Sequence, residues 1–530
     1  MDETGDILAR IKRLNTIGIA LSAEKNTSRL LEMILDGAKS ITHADGGTLY
    51  LVTENKQLDF AIMKTSSLNI SIGGASKEHS GYPPIPLFDD NGGPNVHMVA
   101  AYAVHNNQTV NIPDAYNAHG FDFSGTMEFD DQTGYRSRSF LTIPMKSHEN
   151  EVIGVMQLIN ATNARNGDII PFSQEDQQLA ESLASQAAIA LTNNYLINEL
   201  RTLFETFIEV IAGAIDEKSP YTGGHCRRVP ELTMMLTRAA IDAKHGPLKD
   251  FNLTDEQFHE VRIAGLLHDC GKITTPVHIV DKATKLETIF DRIHLINTRF
   301  EILRRDAEIT LLKNKLEKTG DNNSDLIDDI KRHEKTLDQL EDDRHFIRKC
   351  NIGGEFMSDD HKQRIQSIAR RQWINSAGIV EKLLSDDECY NLCISKGTLT
   401  PEERDIINHH IVSTISILEK LPFPKYLRNV PEIAGGHHER MDGKGYPKGL
   451  TREQMSIPAR IMGIADIFEA LTAADRPYKD GMSLTTALGI LDKMKRDSHI
   501  DPDLFDIFIE KRVYLDYARK FLKPEQIDIE

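Results

Sequence analysis

The sequence has no run of eighteen apolar residues and no charged-then-apolar leader. It therefore offers neither a membrane-spanning helix nor a signal peptide, and the expected location is cytoplasmic, with no membrane partner. Cysteine is scarce. Cys226, Cys270, Cys350, Cys389 and Cys393 are odd in number and lack zinc-type pairing, so reduced thiols are the expected state. A basic excess is also missing: 62 Lys and Arg against 80 Asp and Glu leave a formal charge of −18, which argues against a nucleic-acid partner. What is there, 530 residues of which 40% are hydrophobic and 27% charged, is an ordinary soluble composition with chain enough for about three domains.

Against that acidic background stands the stretch His437-His438-Glu439-Arg440-Met441-Asp442-Gly443-Lys444-Gly445-Tyr446-Pro447. Adjacent histidines on a helix diverge by about 100°. Both reach one site only where the backbone kinks or a metal gathers them, and the glycines with Pro447 mark a tight loop here. Arg440, Lys444, Lys448 and Arg452 make the loop locally basic, which suits a small anion better than a duplex.

Other histidines and aspartates join this pair. His225 follows Tyr221-Thr222-Gly223-Gly224. A helix through Phe258, Val261, Ala264 and Leu267 runs into His268-Asp269-Cys270-Gly271-Lys272, which can offer an imidazole and a carboxylate to one cation. Lys272 could meet a phosphate oxygen near that cation, and Cys270 is expected to face the core as a small hydrophobe. A later helix opens with the capping box Thr400-Pro401-Glu402-Glu403. On it His410 shares an apolar stripe with Ile407, Thr414 and Ile417, whereas His409 has Asp405 and Ser413 as neighbours, so His410 is the expected inward ligand. Asp466 interrupts the apolar run of a helix starting at Pro458; a buried carboxylate needs a cation or an arginine partner. The candidate ligands are thus His225, His268, Asp269, His410, His437, His438 and Asp466.

The N-terminal part reads as an α+β domain over 8–192. Helices over 8–40 precede a turn at Asp45-Gly46-Gly47, strands near 48–52, 108–112, 139–145 and 151–159, and a closing helix from Ser173. Asn111-Ile112-Pro113-Asp114-Ala115-Tyr116, Thr133-Gly134-Tyr135-Arg136-Ser137-Arg138-Ser139 and Gly154-Val155-Met156-Gln157-Leu158-Ile159-Asn160 resemble the GAF domains of cyclic-nucleotide phosphodiesterases. Of their signature the chain keeps Asn160, Phe172 and Asp176 but has Ala161 for lysine and Gln177 for glutamate. The missing lysine removes a candidate partner for Asp176 and counts against cyclic-nucleotide binding. Sensing of a small ligand of some kind and pure dimerisation are the two readings.

From Asp176 to Asp216 there is no proline and one glycine. Leu196, Leu200, Leu203, Phe207, Val210 and Ala214 follow a four-three spacing, which predicts a parallel coiled coil over 193–215 in a homodimer, or else a helix packed on its own domain.

The motifs HDCGK (268–272), HHERMDGKGYP (437–447) and ADIFEALTAADRPYK (465–479) resemble the HD-GYP family of bacterial second-messenger phosphodiesterases, within the HD superfamily. The resemblance implies an all-α domain over 205–530 that hydrolyses cyclic di-GMP to pGpG or GMP in signal transduction, with iron or manganese as cofactor. It further implies that His225, His268, Asp269 and Asp466 hold one metal and that Asp269 bridges to a second held by His410, His437 and His438. Catalysis would rest on Asp269 and Lys272, and Lys272, Arg476 and Lys479 would contact substrate phosphates. Arg440 and Tyr446 are further substrate or partner candidates in the loop. Two cations can activate a water between them, so no serine or cysteine nucleophile is required. Family members with three metals carry a glutamate four residues before the first histidine; Tyr221 stands there, which implies two divalent ions. His410 lies 142 residues beyond His268, which makes His294 a rival and marks an insertion at about 286–396. Ile289, Ile293, Ile296, Phe300, Leu303 and Ala307, then Leu326, Ile330, His333, Leu337 and Leu340, predict a helical hairpin broken at Gly320–Ser324, followed by shorter helices holding Trp373, Cys389 and Cys393. The insertion could be a lid, a platform for a protein partner or inert. Hydrolysis of another cyclic dinucleotide such as cyclic GMP-AMP, or a silent nucleotide receptor, are the rival functions.

Overall fold

Leu49 and Tyr50 point to opposite faces of one strand, and both are buried. A sheet covered on its two sides follows. In the computed structural model, which describes residues 3–74, 82–163, 166–218, 224–317, 323–353, 356–474 and 481–529, the chain divides into two compact units, Met1–Leu203 and Phe204–Glu530. The first is the expected α+β fold. Its strands are β1 (Ala44–Val52), β2 (Gln57–Thr65), β3 (Ile70–Gly73), β4 (Ile85–Pro86), β5 (Val110–Ile112), β6 (Phe140–Lys146), β7 (Val152–Thr162) and β8 (Ile169–Ile170). The order is β3-β2-β1-β7-β6-β5, with β4 on β2 and β8 on β7, and all pairs are antiparallel. On one side Leu49, Leu141, Ile143 and Leu158 pack with Leu30, Ile34, Leu35, Leu183 and Ala187 of the helices. On the other, Tyr50, Leu58 and Val155 pack with Ala100 and Ala101.

The turn expected at Asp45-Gly46-Gly47 is instead the start of β1. A Cβ on Gly47 would sit 2.7 Å from Leu35 Cδ1, so glycine is there to let the helix Thr27–Thr42 lie on the strand. β2 was absent from the expected set because Gln57, Asp59 and Lys64 dilute its apolar pattern. Asp176, which lacks the family lysine, pairs with Arg10 instead and accepts from Ser173 N–H and Oγ–H. Asn160 ties β7 to the segment before β6, accepting from the Arg138 N–H at 2.7 Å and donating to the Arg136 carbonyl at 2.8 Å.

One helix, Gln174–Lys218, runs from the first unit into the second without interruption; the change of pattern between Ala190 and Leu196 is not a break in it. Its expected seam faces outward: Leu200, Leu203, Phe207 and Val210 each keep 62–66% of their surface exposed. Ile208, Ala212 and Ile215 take the packing role in the second unit.

That unit is helical. Helices His225–Ile241 and Ile457–Thr472 supply residues to two apolar clusters. Val229, Leu232, Ile461 and Phe468 pack with the C-terminal helices, and Cys226 and Met462 pack with Val261, Leu267 and Ile433. Cys270 belongs to the second cluster. The helix expected from Thr400 is two, Pro401–Asn408 and His410–Leu418, and the His410 side chain takes the Ile407 carbonyl at the junction.

The insertion has its own core of Leu286, Ile296, Phe300, Leu340, Ile347 and Leu392, built around helices Ile293–Glu317 and Asn323–Asn351. The first begins after Asp291, whose carboxylate accepts from the Ile293 N–H, and Ile289 lies outside it and exposed. Trp373 sits not in a helix but in a two-stranded ribbon, β9 (Gln372–Ile374) and β10 (Val380–Lys382). Asn375 accepts from the N–H groups of Ala377 and Ile379, and Gly378 takes φ 77°, which closes a tight turn. Cys389 is in helix Asp386–Leu392 and Cys393 caps it. Among the described residues no helix is long and apolar enough to cross a membrane. Tyr221, Arg476, Lys479 and the Gly320–Asn322 part of the hairpin break lie outside the described residues.

Candidate metal centre

The histidines meet because their backbones turn them inward and fix which nitrogen is free. His268, His410 and His437 each donate Nδ1–H to the carbonyl three residues earlier, Gly265, Ile407 and Ala434. Each therefore turns its Nε2 to the interior. His225 opens the helix His225–Ile241 and donates Nδ1–H to Glu469 Oε2 at 2.6 Å, while Arg228 holds the other oxygen of that glutamate. Glu469 was missed by sequence reasoning. Its signal was position: three residues after Asp466, it shares that residue's face of an apolar helix.

The ligating atoms of His225, His268 and Asp466 lie within 4.8 Å of one another, as do those of His268, Asp269 and His437, and those of His410, His437 and His438. Asp269 stands at the junction. Its Oδ2 lies 3.1 Å from His225 Nε2 and 3.4 Å from His268 Nε2, and its Oδ1 lies 3.3 Å from His410 Nε2. Asp466 Oδ1 is 3.4 Å from His225 Nε2, and His438 Nε2 is 3.3 Å from His410 Nε2. All seven candidate ligands are thus brought together. His409 is exposed at the helix break itself, and His294 is exposed in the insertion.

Glycine permits this approach at two places. A Cβ on Gly271 would fall 2.0 Å from the His410 carbonyl oxygen, so the turn Cys270–Thr274 can lie against helix His410–Leu418 only with glycine there. A Cβ on Gly445 would fall 2.4 Å from Glu439 Cα, so the loop after the histidine pair can fold back on itself. Glu439, beside that pair, is no ligand. Its buried carboxylate accepts from the N–H groups of Lys448 and Leu450 at 2.7 and 2.9 Å and closes the loop.

The charges also require something in the middle. Taking an ionised carboxylate out of water costs several kcal/mol. Asp269 has Lys272, 2.5 Å away, whereas among the described residues the ion-pair partners of Asp466 within 4 Å are His225 and His268. Burial would raise both carboxyl groups. Lys272, His268 and His225 outweigh it and hold Asp269 well below its ordinary 3.8, while His437, His225 and His268 bring Asp466 to about 2. Burial and the neighbouring His438 push His437 well below 6.5, and burial with His410 takes His438 to about 4. The Nε2 of His437 is buried and has no partner among the described residues. An unprotonated imidazole nitrogen without a donor, between two carboxylates, is the arrangement a cation completes, and the donor set fits a pair of them.

Of the expected substrate contacts, Lys272 is at the centre and Tyr446 stacks on His438, with ring centroids 4.9 Å apart and planes at 18°. Burial, with Asp466 and Asp269 nearby, raises the Tyr446 hydroxyl to about 12. Arg440 turns elsewhere, donating to Asp442 at 3.0 Å and to the Asp497 carbonyl at 3.3 Å, and so braces the loop.

In the metal-free protein these environments have opposite pH signatures. For His438 the unfolded chain, near 6.5, takes a proton more readily than the folded one, near 4, so stability falls as pH drops from about 6.5 to about 4. Burial lowers the His225 pKa, but hydrogen bonds with Asp269 and Glu469 override it and raise it to about 10; its contribution is complete below 6.5 and is lost as pH rises toward 10. Denaturant midpoints of chelator-stripped protein should therefore show a shallower acid limb in His438→Gln, with His437 supplying the rest, and a shallower alkaline limb in His225→Gln. Identical pH profiles in both variants and the parent would contradict these environments.

Comparison with known proteins places the two units. Residues 26–191 match the GAF domain family and residues 384–504 the HD domain family. The second match holds His410, His437, His438 and Asp466, while His225, His268 and Asp269 precede the insertion. A probable cyclic di-GMP phosphodiesterase of Vibrio cholerae is 37% identical over 141 residues, 26% of this chain and 32% of that protein. The 3'3'-cGAMP-specific phosphodiesterase 3 of the same organism is 34% identical over 145 residues, 27% of this chain and 30% of that protein. A cyclic di-GMP phosphodiesterase of Thermotoga maritima is 29% identical over 259 residues, 46% of this chain and 67% of that protein. The chain spans about a third of the length of the first two. It carries a GAF domain followed by an HD domain.

Proposed function

We propose that the second unit is a metal-dependent phosphodiesterase of the HD-GYP type that opens cyclic di-GMP to pGpG and onward to GMP, under control of the GAF domain. The observation that carries this reading is that seven His and Asp residues form three overlapping triplets whose ligating atoms lie within 4.8 Å of one another. His225, His268, Asp269 and Asp466 would hold one divalent cation and His410, His437 and His438 another, with Asp269 serving both. Iron and manganese suit that donor set. When bound, such a pair supplies Lewis acidity at a phosphoryl oxygen and makes a water nucleophilic near neutral pH.

The chain's own groups do the rest. The Nδ1–H bonds to the carbonyls and to Glu469 aim the Nε2 atoms of His225, His268, His410 and His437 at the centre. Lys272 places a cation where a phosphate oxygen would enter. Tyr446, flat on His438, supplies an aromatic wall beside the same point. Cys270 takes no part: burial raises its thiol to about 11, so it stays protonated and faces the core.

A second reading, hydrolysis of 3'3'-cGAMP, is favoured by the Vibrio cholerae relative of that name. Manganese-loaded protein incubated with each cyclic dinucleotide, with products separated by chromatography, decides between them. Asp269→Asn and His410→Ala should lose a hundredfold or more, on the order expected for losing several kcal/mol of charge stabilisation. His409→Ala should stay within about twofold, as an exposed substitution does. Equal losses at 409 and 410, or no turnover of either dinucleotide, would sink the proposal.

The regulatory part rests on the first unit's cavity and on the long helix. A cavity of about 580 Å³, lined by Tyr50, Phe60, Phe123, Tyr135 and Gln157 among others, has room for a small molecule. Among the described residues no lysine or arginine lines it, so it offers no counter-charge to a cyclic phosphate. The outward Leu200–Val210 stripe suits the same stripe of a second copy in a parallel dimer. One alanine inserted after Asn198 rotates the remainder of the helix by about 100° and should change activity; seven approximately restore the phase and should restore it. A monomeric mass in solution, or indifference to both insertions, would remove the relay.

A further inference from the structure

The last turn of the long helix reaches the backbone that carries the ligands. Asp216 accepts the N–H groups of Gly224 and Cys226, each at 3.2 Å, and these residues flank His225. Gly224 caps the helix His225–Ile241 with φ 92° and has no side chain to offer. Two N–H groups at the start of that helix are thus satisfied by a carboxylate from another helix.

Two residues on, Lys218 donates to the carbonyls of Lys272 at 2.9 Å, Ile273 at 2.5 Å and Thr275 at 2.8 Å. Three acceptors use all three ammonium hydrogens. They belong to the turn that follows Asp269 and carries Lys272, the same turn whose Gly271 N–H is held by Thr414 Oγ1 at 2.9 Å. Side chains two apart on a helix diverge by about 200°, so one turn can grip two separate segments. The segments gripped are those that bring His225 Nε2 and Asp269 Oδ2 to 3.1 Å.

We infer that Asp216 and Lys218 are positioning residues that set the separation of His225 from Asp269, so that the end of the long helix is where a movement of that helix alters the metal centre. This rests on the metal-centre reading above. A rotation of the last turn would draw one segment and release the other, changing the geometry of the first ligand set without touching His410, His437 or His438.

The test uses the 530-residue chain with Lys218→Met, Lys218→Arg and Asp216→Asn, each stripped by chelator. Manganese binding is measured by calorimetry, and kcat and KM are measured after loading. Lys218→Met should bind manganese about tenfold more weakly and lose kcat to a similar degree, the usual consequence of removing a ligand's support, with KM little changed. Lys218→Arg should recover most of both, and Asp216→Asn should fall between. A lowered melting temperature with parental manganese affinity and kcat would mean the contacts serve stability alone, and the inference fails. Should Lys218→Met not fold, parental affinity in both remaining variants overturns it equally. Absence of manganese uptake by the parent sinks the metal-centre reading, and this inference with it; parental uptake with an unaffected Lys218→Met sinks this inference only.

Discussion

The second unit depends on one constraint: unprotonated imidazole nitrogens and two carboxylates must share a space largely closed to water. Left alone, such a cluster is unfavourable, since each ionised carboxylate loses several kcal/mol of hydration and the imidazoles cannot donate to one another. The chain relieves this by local pairing only in part. It commits the Nδ1 hydrogens to carbonyls three residues back or to Glu469, and spends Lys272 on Asp269. The remaining lone pairs face each other, an arrangement that bound cations would stabilise.

The surrounding structure serves the same end. Gly271, with its N–H on Thr414, brings the Asp269 turn against the helix of His410, although 142 residues separate His268 from His410. The insertion between them is tolerable because loop closure costs grow only slowly with length and the inserted segment buries its own apolar residues. Glu439 and Gly445 close the loop that holds Tyr446 over His438.

Much of this was legible from residue types. Histidine and aspartate are costly to bury, so seven of them in apolar helices or beside glycines announced a shared partner, and helix periodicity separated His410 from His409. Glu469 was less legible because a glutamate on a helix is ordinarily solvent-facing, and only its spacing from Asp466 marked it. Arg440, read as a substrate or partner contact, donates to Asp442 close by and to the Asp497 carbonyl, 57 residues on, bonds that its charge alone does not announce. In the first unit the Gly46-Gly47 pair was misread as a turn because close approach of a helix leaves the same glycine signature as a reversal of chain. Trp373 was misplaced for a related reason: Asn375 and Gly378 determine a ribbon through hydrogen bonds that hydrophobic spacing does not register.

The central claim, that these residues hold a pair of cations, is tested most directly by counting them. The 530-residue chain, purified without oxygen and measured by elemental mass spectrometry against protein concentration, should carry about two iron or manganese ions per chain. A content near zero that dialysis against either metal cannot raise would contradict the account, and reproducible occupancy near three would contradict its count.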